Sequence, residues 1–169
     1  YRLVAGRVPF LSATLPAGFQ RGKTTEVTIH GSQLQDVSAV WIGDRAGLGK
    51  VLSRSADSVR ASIDVAASTP PGNYWLHVAT PALEGPLPIL VRVGDWNEIT
   101  VRTPSRDLRK ATPIAAPVVV NGALREAKGS HFFSFHAEAN QRFEFRVDSM
   151  RLGYHFDPVV TLFDADGKR

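Results

Sequence analysis

The residues best suited to hold an ion lie close to the end of the sequence, in Asp164-Ala165-Asp166-Gly167. This D-x-D-G pattern is typical of the start of a calcium loop, because alternate carboxylates in a bend aim their oxygens at one point. A complete loop needs a ligand at its twelfth position, and the sequence stops first, at Arg169. The competing interpretation is a hairpin turn, since Asp and Gly supply the backbone geometry. The sequence favours the turn, with Asp164 and Asp166 as candidate ligands of Ca²⁺, and it indicates no other cofactor.

A second set of residues could form a surface for a partner or a ligand: Trp41, Trp75, Tyr154 and His155. Each of the two tryptophans stands between apolar residues of an alternating pattern, so its side chain is expected on the opposite, outer face of a strand. Tyr154 and His155 follow a glycine in a loop. Exposed rings stack on sugars or fill a pocket of a partner protein. The alternative is that a neighbouring domain covers these rings.

Other chemistry is not indicated by the residue types and their spacing. The sequence has no cysteine, which excludes disulfides, thiolate metal sites and cysteine nucleophiles. It has no G-x-S-x-G elbow, no phosphate-binding glycine loop and no H-E-x-x-H pair among its five histidines. We therefore expect no catalytic residues and a chain that is not an enzyme.

Charge and hydropathy exclude two classes of partner. The net charge of +4 comes from basic residues scattered among acidic ones, without the run of like charges typical of nucleic-acid-binding tails. No apolar stretch is long enough to span a bilayer, so we expect no membrane insertion. The chain has 169 residues and starts at Tyr1, and we expect it to be a fragment of a larger protein.

The elements that position these residues are predicted to be strands. Apolar residues alternate with polar ones from Thr25 to Ile29, from Val59 to Val65, from Tyr74 to Val78 and from Leu87 to Val93. Glycine or proline separates these runs, as in an antiparallel sandwich. Residues 1–94 are therefore predicted to form an immunoglobulin-like β-sandwich, followed by an extended linker over residues 95–117, which is rich in proline and small residues.

Residues 118–169 repeat the alternation in a second block. Phe133, Phe135 and Ala137 make one inward row, and Phe143, Phe145 and Val147 make the next, with Val160 and Leu162 starting a third. Between the first two rows, Asn140 is suited to a left-handed turn. The fold class is thus all-β throughout.

The first block resembles an IPT/TIG domain, an immunoglobulin-like sandwich. The resemblance lies in Pro16-Ala17-Gly18-Phe19-Gln20-Arg21-Gly22, in the strand from Glu26 to Gly31, and in Pro71-Gly72-Asn73-Tyr74 before the strand from Trp75 to Thr80.

The second block resembles the first half of a bacterial pre-peptidase C-terminal (PPC) domain, a β jelly roll. The matching stretches are Val120 to Leu124, Gly129 to Phe135, Gln141 to Val147 and Asp157 to Gly167. The sequence departs from the family at Ser130-His131, where an aspartate is usual, and the closing strands of the jelly roll are missing. The resemblance implies an accessory module of a large exported protein, similar to those of planctomycete-type bacteria.

The sequence thus predicts a non-catalytic binding or spacer fragment of an exported bacterial protein, located outside the cell, at its surface or in the periplasm. Its expected partners are a protein or polysaccharide surface, the remaining domains of the parent chain, or further copies of itself, bound through surface and strand-edge contacts. Two alternatives stay open. One is a processed, non-catalytic part of a secreted protease or other hydrolase, and the other is a structural subunit of an extracellular assembly or surface layer.

Overall fold

The computed structural model describes residues 8–44, 46–81, 83–84, 87–126 and 128–169, and these contain strands and short 3₁₀ turns but no α-helix. The chain is therefore all-β. The strands in chain order are β1 Phe10–Leu15, β2 Gly18–Gln20, β3 Lys23–Ser32, β4 Ala39–Ile42, β5 Gly47–Arg54, β6 Ser58–Val65, β7 Gly72–Thr80, β8 Leu83–Glu84, β9 Ile89–Gly94, β10 Glu98–Thr100, β11 Thr112–Pro113, β12 Val119–Asn121 and β13 Phe133–Ser134. The two 3₁₀ turns are Leu108–Lys110 and Met150–Leu152.

The first nine strands form one nine-stranded sheet in the order β1-β3-β6-β5-β4-β7-β9-β2, with β8 paired to β7. β1 and β2 are consecutive in the chain but lie at opposite ends of this sheet. β1 pairs antiparallel with β3, and β2 pairs parallel with β9. The sheet curls until its two ends approach, because β1 contacts β9 and β2 contacts β3. This nearly closed sheet encloses a single apolar core.

The core explains why these segments are strands. Each has a period of two, so one set of side chains points inward and leaves water while the other stays outside. The predicted inward rows are confirmed as buried at ten positions: Val27, Ile29, Val59, Ala61, Ile63, Val65, Leu76, Val78, Val91 and Val93. Burying one such aliphatic side chain stabilises the fold by about 1.5–3 kcal/mol before the entropic cost is subtracted.

One position of the predicted rows of the first block is wrong. Leu87 is 78% exposed, because β9 begins only at Ile89. Tyr74 is half-buried at the edge of the core, and its hydroxyl donates a hydrogen bond to the Pro70 carbonyl at 2.7 Å.

Regular structure occurs inside the segment that the sequence predicts as a linker. β10 pairs in parallel with β12, and β11 pairs in parallel with β13. The 3₁₀ turn at Leu108–Lys110 begins at Asp107, whose carboxylate accepts a hydrogen bond from the Arg109 N–H at 2.9 Å. The division into residues 1–94, 95–117 and 118–169 stays a prediction.

The second block has fewer strands than its alternation predicts. In the described part of residues 118–169, the regular strands are β12 and β13 alone. The row from Phe143 to Val147 forms no strand, and two of its predicted inward residues are exposed, Phe145 to 44% and Val147 to 48%. Ala137 of the preceding row is exposed as well, and Val160 and Leu162 are each about half exposed rather than inward. The rings of Phe135, Phe143 and Phe145 instead cluster with centroids 5.1–6.2 Å apart. A strand needs a neighbour for its backbone groups, and apolar periodicity alone does not supply one.

A buried polar joint connects the second block to the first. The side-chain oxygen of Asn121 accepts hydrogen bonds from the N–H groups of Ala17 at 3.0 Å and Gly18 at 3.2 Å. Its amide nitrogen donates to the Glu98 carboxylate at 2.6 Å. The buried Leu152 of the second 3₁₀ turn adds an apolar contact, because this turn packs against β9.

Candidate functional site

The outward-facing rings of β4 and β7 lie on the same side of the sheet. Trp41 of β4 is paired in register with His77 of β7, and Trp75 lies two residues before His77 on the same strand. Residues two apart on a strand share a face, so Trp75, His77 and Trp41 form one surface, which we call the aromatic face. The predicted outward orientation of both tryptophans is confirmed, since Val40, Ile42 and Leu76 point into the core.

The histidine of the aromatic face is held by the tryptophan beside it. The rings of Trp41 and His77 are stacked at a centroid distance of 5.1 Å and an interplanar angle of 8°. Such a stack fixes the orientation of the imidazole. Trp75, by contrast, is 51% exposed. A neighbouring element does not cover it in the described part of the chain, so its ring is available to a ligand.

An open groove of about 590 Å³ runs beside Trp75 and His77. The turn after β4 forms one wall, and the segment between β6 and β7 forms the other. Its described lining is Gly43, Asp44, Ala46, Ala66, Ser68, Thr69, Pro70, Asn73, Tyr74, Trp75 and His77. Trp41 does not line the groove, and it contacts the lining residue His77 through the stack of their rings.

Hydrogen bonds within the groove set its shape and leave several polar groups available. Thr69 is buried and donates to the Ala46 carbonyl at 3.2 Å, which ties the two walls together. The Asn73 side-chain oxygen accepts from Arg92 at 3.1 Å, which leaves the Asn73 amide N–H groups for a ligand. Asp44 and Ser68 make no side-chain hydrogen bond to any described residue.

The groove is lined by a serine, a histidine and an aspartate, which are Ser68, His77 and Asp44. Hydrolysis by such a set uses a hydrogen bond from the nucleophile to the base and another from the base to its orienting group. No hydrogen bond joins these three side chains among the described contacts, and the His77 ring is stacked on Trp41.

The other two residues of the predicted surface belong to the second block. Tyr154 is half-buried, and its hydroxyl lies 3.2 Å from the Thr14 N–H, which donates to it, and 3.3 Å from the Thr14 hydroxyl. Tyr154 therefore forms a contact between the blocks. His155 is exposed next to it. Neither residue lines the groove of Trp75.

The Asp164–Gly167 segment is a tight turn. Asp164 accepts hydrogen bonds at one carboxylate oxygen from the N–H groups of Asp166 at 3.1 Å and Lys168 at 2.8 Å, and Gly167 has a φ of 78°. Asn140 likewise adopts the predicted left-handed conformation, with a φ of 67°. No group of three or more His, Cys, Asp or Glu side chains that could hold a metal occurs among the described residues. The turn is confirmed, and calcium binding by Asp164 and Asp166 stays a prediction.

The described groups whose pKa is shifted lie away from the groove. Burial raises the pKa of Glu98 in the joint between the blocks, against the opposing effects of the Asn121 hydrogen bond and of Arg92. Burial and the nearby Arg106 lower the pKa of His131. The Ser55 hydroxyl lowers the pKa of the exposed Asp57. None of these groups lines the groove.

Sequence reasoning missed His77, Asn73, Ser68 and Asp44 as members of the site. The alternation that places Trp75 outside also places Asn73 and His77 outside, since all three are two residues apart. This alternation was therefore enough to identify Asn73 and His77 as neighbours of Trp75 from the sequence. Ser68 and Asp44 lie in separate turns, and only the tertiary fold brings these turns together.

Comparison with known proteins identifies no family for this chain. No family model matches the sequence, and no curated protein matches it. A solved structure to which the chain is similar is the mixed-linkage glucan utilization locus SGBP-B of Bacteroides ovatus, in complex with a mixed-linkage heptasaccharide. The TM-score is 0.42 and the identity is 15%, over 60% of this chain and 27% of that one. The chain thus spans about a quarter of that protein's length. In the described residues, no helix has the length and apolar character needed to cross a membrane.

Proposed function

We propose that this chain is a non-catalytic binding module of a larger exported bacterial protein, and that it binds its ligand in the groove beside the aromatic face. The observation that carries the proposal is Trp75, a half-exposed indole on a rigid strand at the wall of an open groove. Tryptophan is enriched at binding surfaces because it combines a large apolar ring with an N–H donor, so an exposed indole beside a groove is suited to binding.

The surroundings of Trp75 support the same function. β7 is hydrogen-bonded to both β4 and β9, so the ring stands on the interior of the sheet rather than on a loose edge. A ring held on a rigid element loses little freedom when a ligand binds. The predicted resemblance to accessory modules of exported proteins agrees with a binding role. The two alternatives, that the chain is part of a secreted hydrolase or a subunit of a surface layer, stay predictions.

Replacing Trp75 tests the proposal. Trp75→Ala removes the exposed ring and leaves the core intact, so the variant should fold like the wild type and lose binding to an immobilised set of extracellular polymers, both proteins and polysaccharides. Trp96 is 57% exposed and does not line the groove, so Trp96→Ala is the matched control and should bind normally. Equal retention of both variants, or release of cleaved polymer by the wild type, would contradict the proposal.

A further inference from the structure

We infer that residues 142–148 of the second block are a self-association surface, at which two copies of this chain pair as antiparallel strands around a two-fold axis at Phe145. We call these residues the pairing segment. None of them lines the groove beside Trp75, so the inference goes beyond the proposed function. Three features carry it: an open backbone, an exposed apolar row, and a row of charges that is complementary to itself.

The backbone of the pairing segment is open to a further strand. The segment contains no turn or bend, and its N–H and C=O groups make no hydrogen bond to any other described residue. A straight segment with unpaired backbone groups is a template for an added strand. The pairing segment therefore offers an edge, and its side chains decide which strand fits there.

The side chains of the pairing segment already lie on two opposite faces. On one face, the rings of Phe143 and Phe145 both contact Phe135, at centroid distances of 5.1 and 5.4 Å. On the other face, Arg146 donates a hydrogen bond to the Asp148 carboxylate at 2.9 Å. Side chains two residues apart that touch each other share a face, as in a strand. The contacts with Phe135 hold the segment in place, so it loses little freedom when it pairs.

The apolar row of the pairing segment is only partly covered. Phe145 and Val147 are exposed, and both belong to the face that carries Phe143. Around a two-fold axis at Phe145, this residue lies opposite its counterpart in the second copy, and Phe143 lies opposite Val147. Aromatic and β-branched side chains are favourable pairs across two strands, and their contact removes apolar surface from water.

The charged row selects a second copy of this chain as the occupant. It reads Arg142, Glu144, Arg146, Asp148, so its sign alternates. The two-fold axis at Phe145 places Arg142 opposite Asp148 and Glu144 opposite Arg146, and symmetry makes each pair twice. Such a self-complementary row is typical of a two-fold contact between identical chains.

The same charges exclude the neighbouring registers. A two-fold axis at Glu144 would place this residue opposite its counterpart and Arg142 opposite Arg146. An axis at Arg146 would place this arginine opposite its counterpart and Glu144 opposite Asp148. Parallel pairing in register would place every charged residue opposite its counterpart. Like charges directly opposite each other are destabilising, so charge sets both the direction and the register of the pair.

Sedimentation equilibrium of the full chain over a range of concentrations tests this inference. We expect a reversible equilibrium between a monomer and a dimer, without larger species. Glu144→Arg places like charges opposite each other at both symmetric pairs with Arg146, so it should weaken dimerisation by about tenfold or more. Glu26→Arg is the matched control, because it makes the same change of charge at an exposed position of β3 in the first block, and it should dimerise normally.

Exchanging the two charges tests the pairing itself. Glu144→Arg combined with Arg146→Glu makes the two opposite side chains attract each other again, so the double variant should regain the dimerisation of the wild type. A double variant that is folded but as weakly associated as Glu144→Arg would contradict the register.

Disulfide formation tests the two-fold axis directly, because the chain has no cysteine of its own. Phe145→Cys introduces one thiol at the axis, and directly opposite Cα atoms of antiparallel strands lie about 4.5–5.5 Å apart, within the range of a disulfide. With oxidised glutathione this variant should form a covalent dimer. Val147→Cys is its control, because the two thiols would stand about 14 Å apart along the strands and should crosslink much more slowly.

A wild-type chain that stays monomeric at every concentration would overturn the inference. A dimer that Glu144→Arg leaves intact, or equal crosslinking of the two cysteine variants, would place the contact elsewhere and overturn it as well. None of these results bears on the groove beside Trp75, so the proposed function is tested separately. Circular dichroism of each variant shows that a loss of association is not a loss of fold.

Discussion

At the scale of single residues, the carboxyl group of Glu98 is half-buried, and this burial disfavours its charged form. It lies under Gly18 and accepts a hydrogen bond from Asn121 at 2.6 Å. Burial raises its pKa, so the folded chain holds this proton more tightly than the unfolded chain does. Stability therefore falls as the pH rises from about 4, where a free glutamate ionises, up through the raised pKa, and it is level above that.

Glu98→Gln should remove this loss of stability. The glutamine side chain keeps an oxygen for the Asn121 donor but carries no charge, so we expect a melting temperature a few degrees above that of the wild type near neutral pH. The difference should shrink as the pH approaches about 4, where the wild-type carboxyl is itself protonated. Thermal unfolding across this pH range measures it.

Glu26→Gln is the control for this prediction. Glu26 is an exposed carboxylate that pairs with Arg60 at 2.9 Å, and exposed ion pairs contribute little to stability. It should not reproduce the pH-dependent gain. A Glu98→Gln variant that is less stable than the wild type at every pH would show that the charged hydrogen bond outweighs the cost of burial.

At the scale of elements, the pairing of β1 with β3 depends on a glycine. A Cβ atom on Gly31 would lie 1.8 Å from the Phe10 carbonyl oxygen, which belongs to backbone and cannot rotate away. Gly31→Ala should therefore push β1 off β3 and lower the free energy of unfolding by about 1–3 kcal/mol, the usual cost of overpacking. Urea unfolding measures the change.

Gly94→Ala is the matched control for Gly31→Ala. Gly94 is the last residue of β9, and a Cβ atom there would meet no described atom within 4 Å. Its effect should stay within about 0.5 kcal/mol, as for an open surface site. Equal destabilisation by the two substitutions would show that β1 does not lie against Gly31 in solution.

Alternation predicts a strand well where one block supplies both the core that its apolar face packs against and the neighbouring strands that pair with it. Val59 to Val65 is such a case, because β6 is paired with β3 on one side and β5 on the other. The run from Phe143 to Val147 has the same period but no paired neighbour among the described residues. The pattern reports which face is apolar, whereas ladder formation depends on a distant partner that a local pattern does not contain.

The candidate site likewise has one part that the sequence predicts and another that it does not. The outward placement of Trp41 and Trp75 follows from alternation alone, because their neighbours in the sequence are core residues. The groove was not predictable, because it depends on the approach of Gly43, Asp44 and Ala46 to the segment between β6 and β7, at the same end of β7. The role of Tyr154 was not predictable either, since its hydroxyl contacts Thr14, 140 residues earlier.

At the scale of the whole molecule, the two blocks are joined by hydrogen bonds of Asn121 and Tyr154 and by the packing of the second 3₁₀ turn against β9. Asn121 satisfies two N–H groups of the first block and one carboxylate, while Tyr154 adds its contact with Thr14. A buried polar group that loses its partner costs the full energy of desolvation, so the joint is sensitive to single changes. Asn121 therefore contributes three hydrogen bonds to the joint between the blocks.

Asn121→Ala should loosen this joint. It removes the acceptor for the N–H groups of Ala17 and Gly18 and the donor to Glu98, which should lower the free energy of unfolding by about 1–3 kcal/mol. In hydrogen exchange, the amides of Ala17 and Gly18 should become less protected, while those of the buried strand β6 should keep their protection. Asn97→Ala, which changes an exposed asparagine next to β10, should do neither. If exchange at Ala17 and Gly18 is the same in the variant and the wild type, these amides have another acceptor, and the blocks are not joined through Asn121.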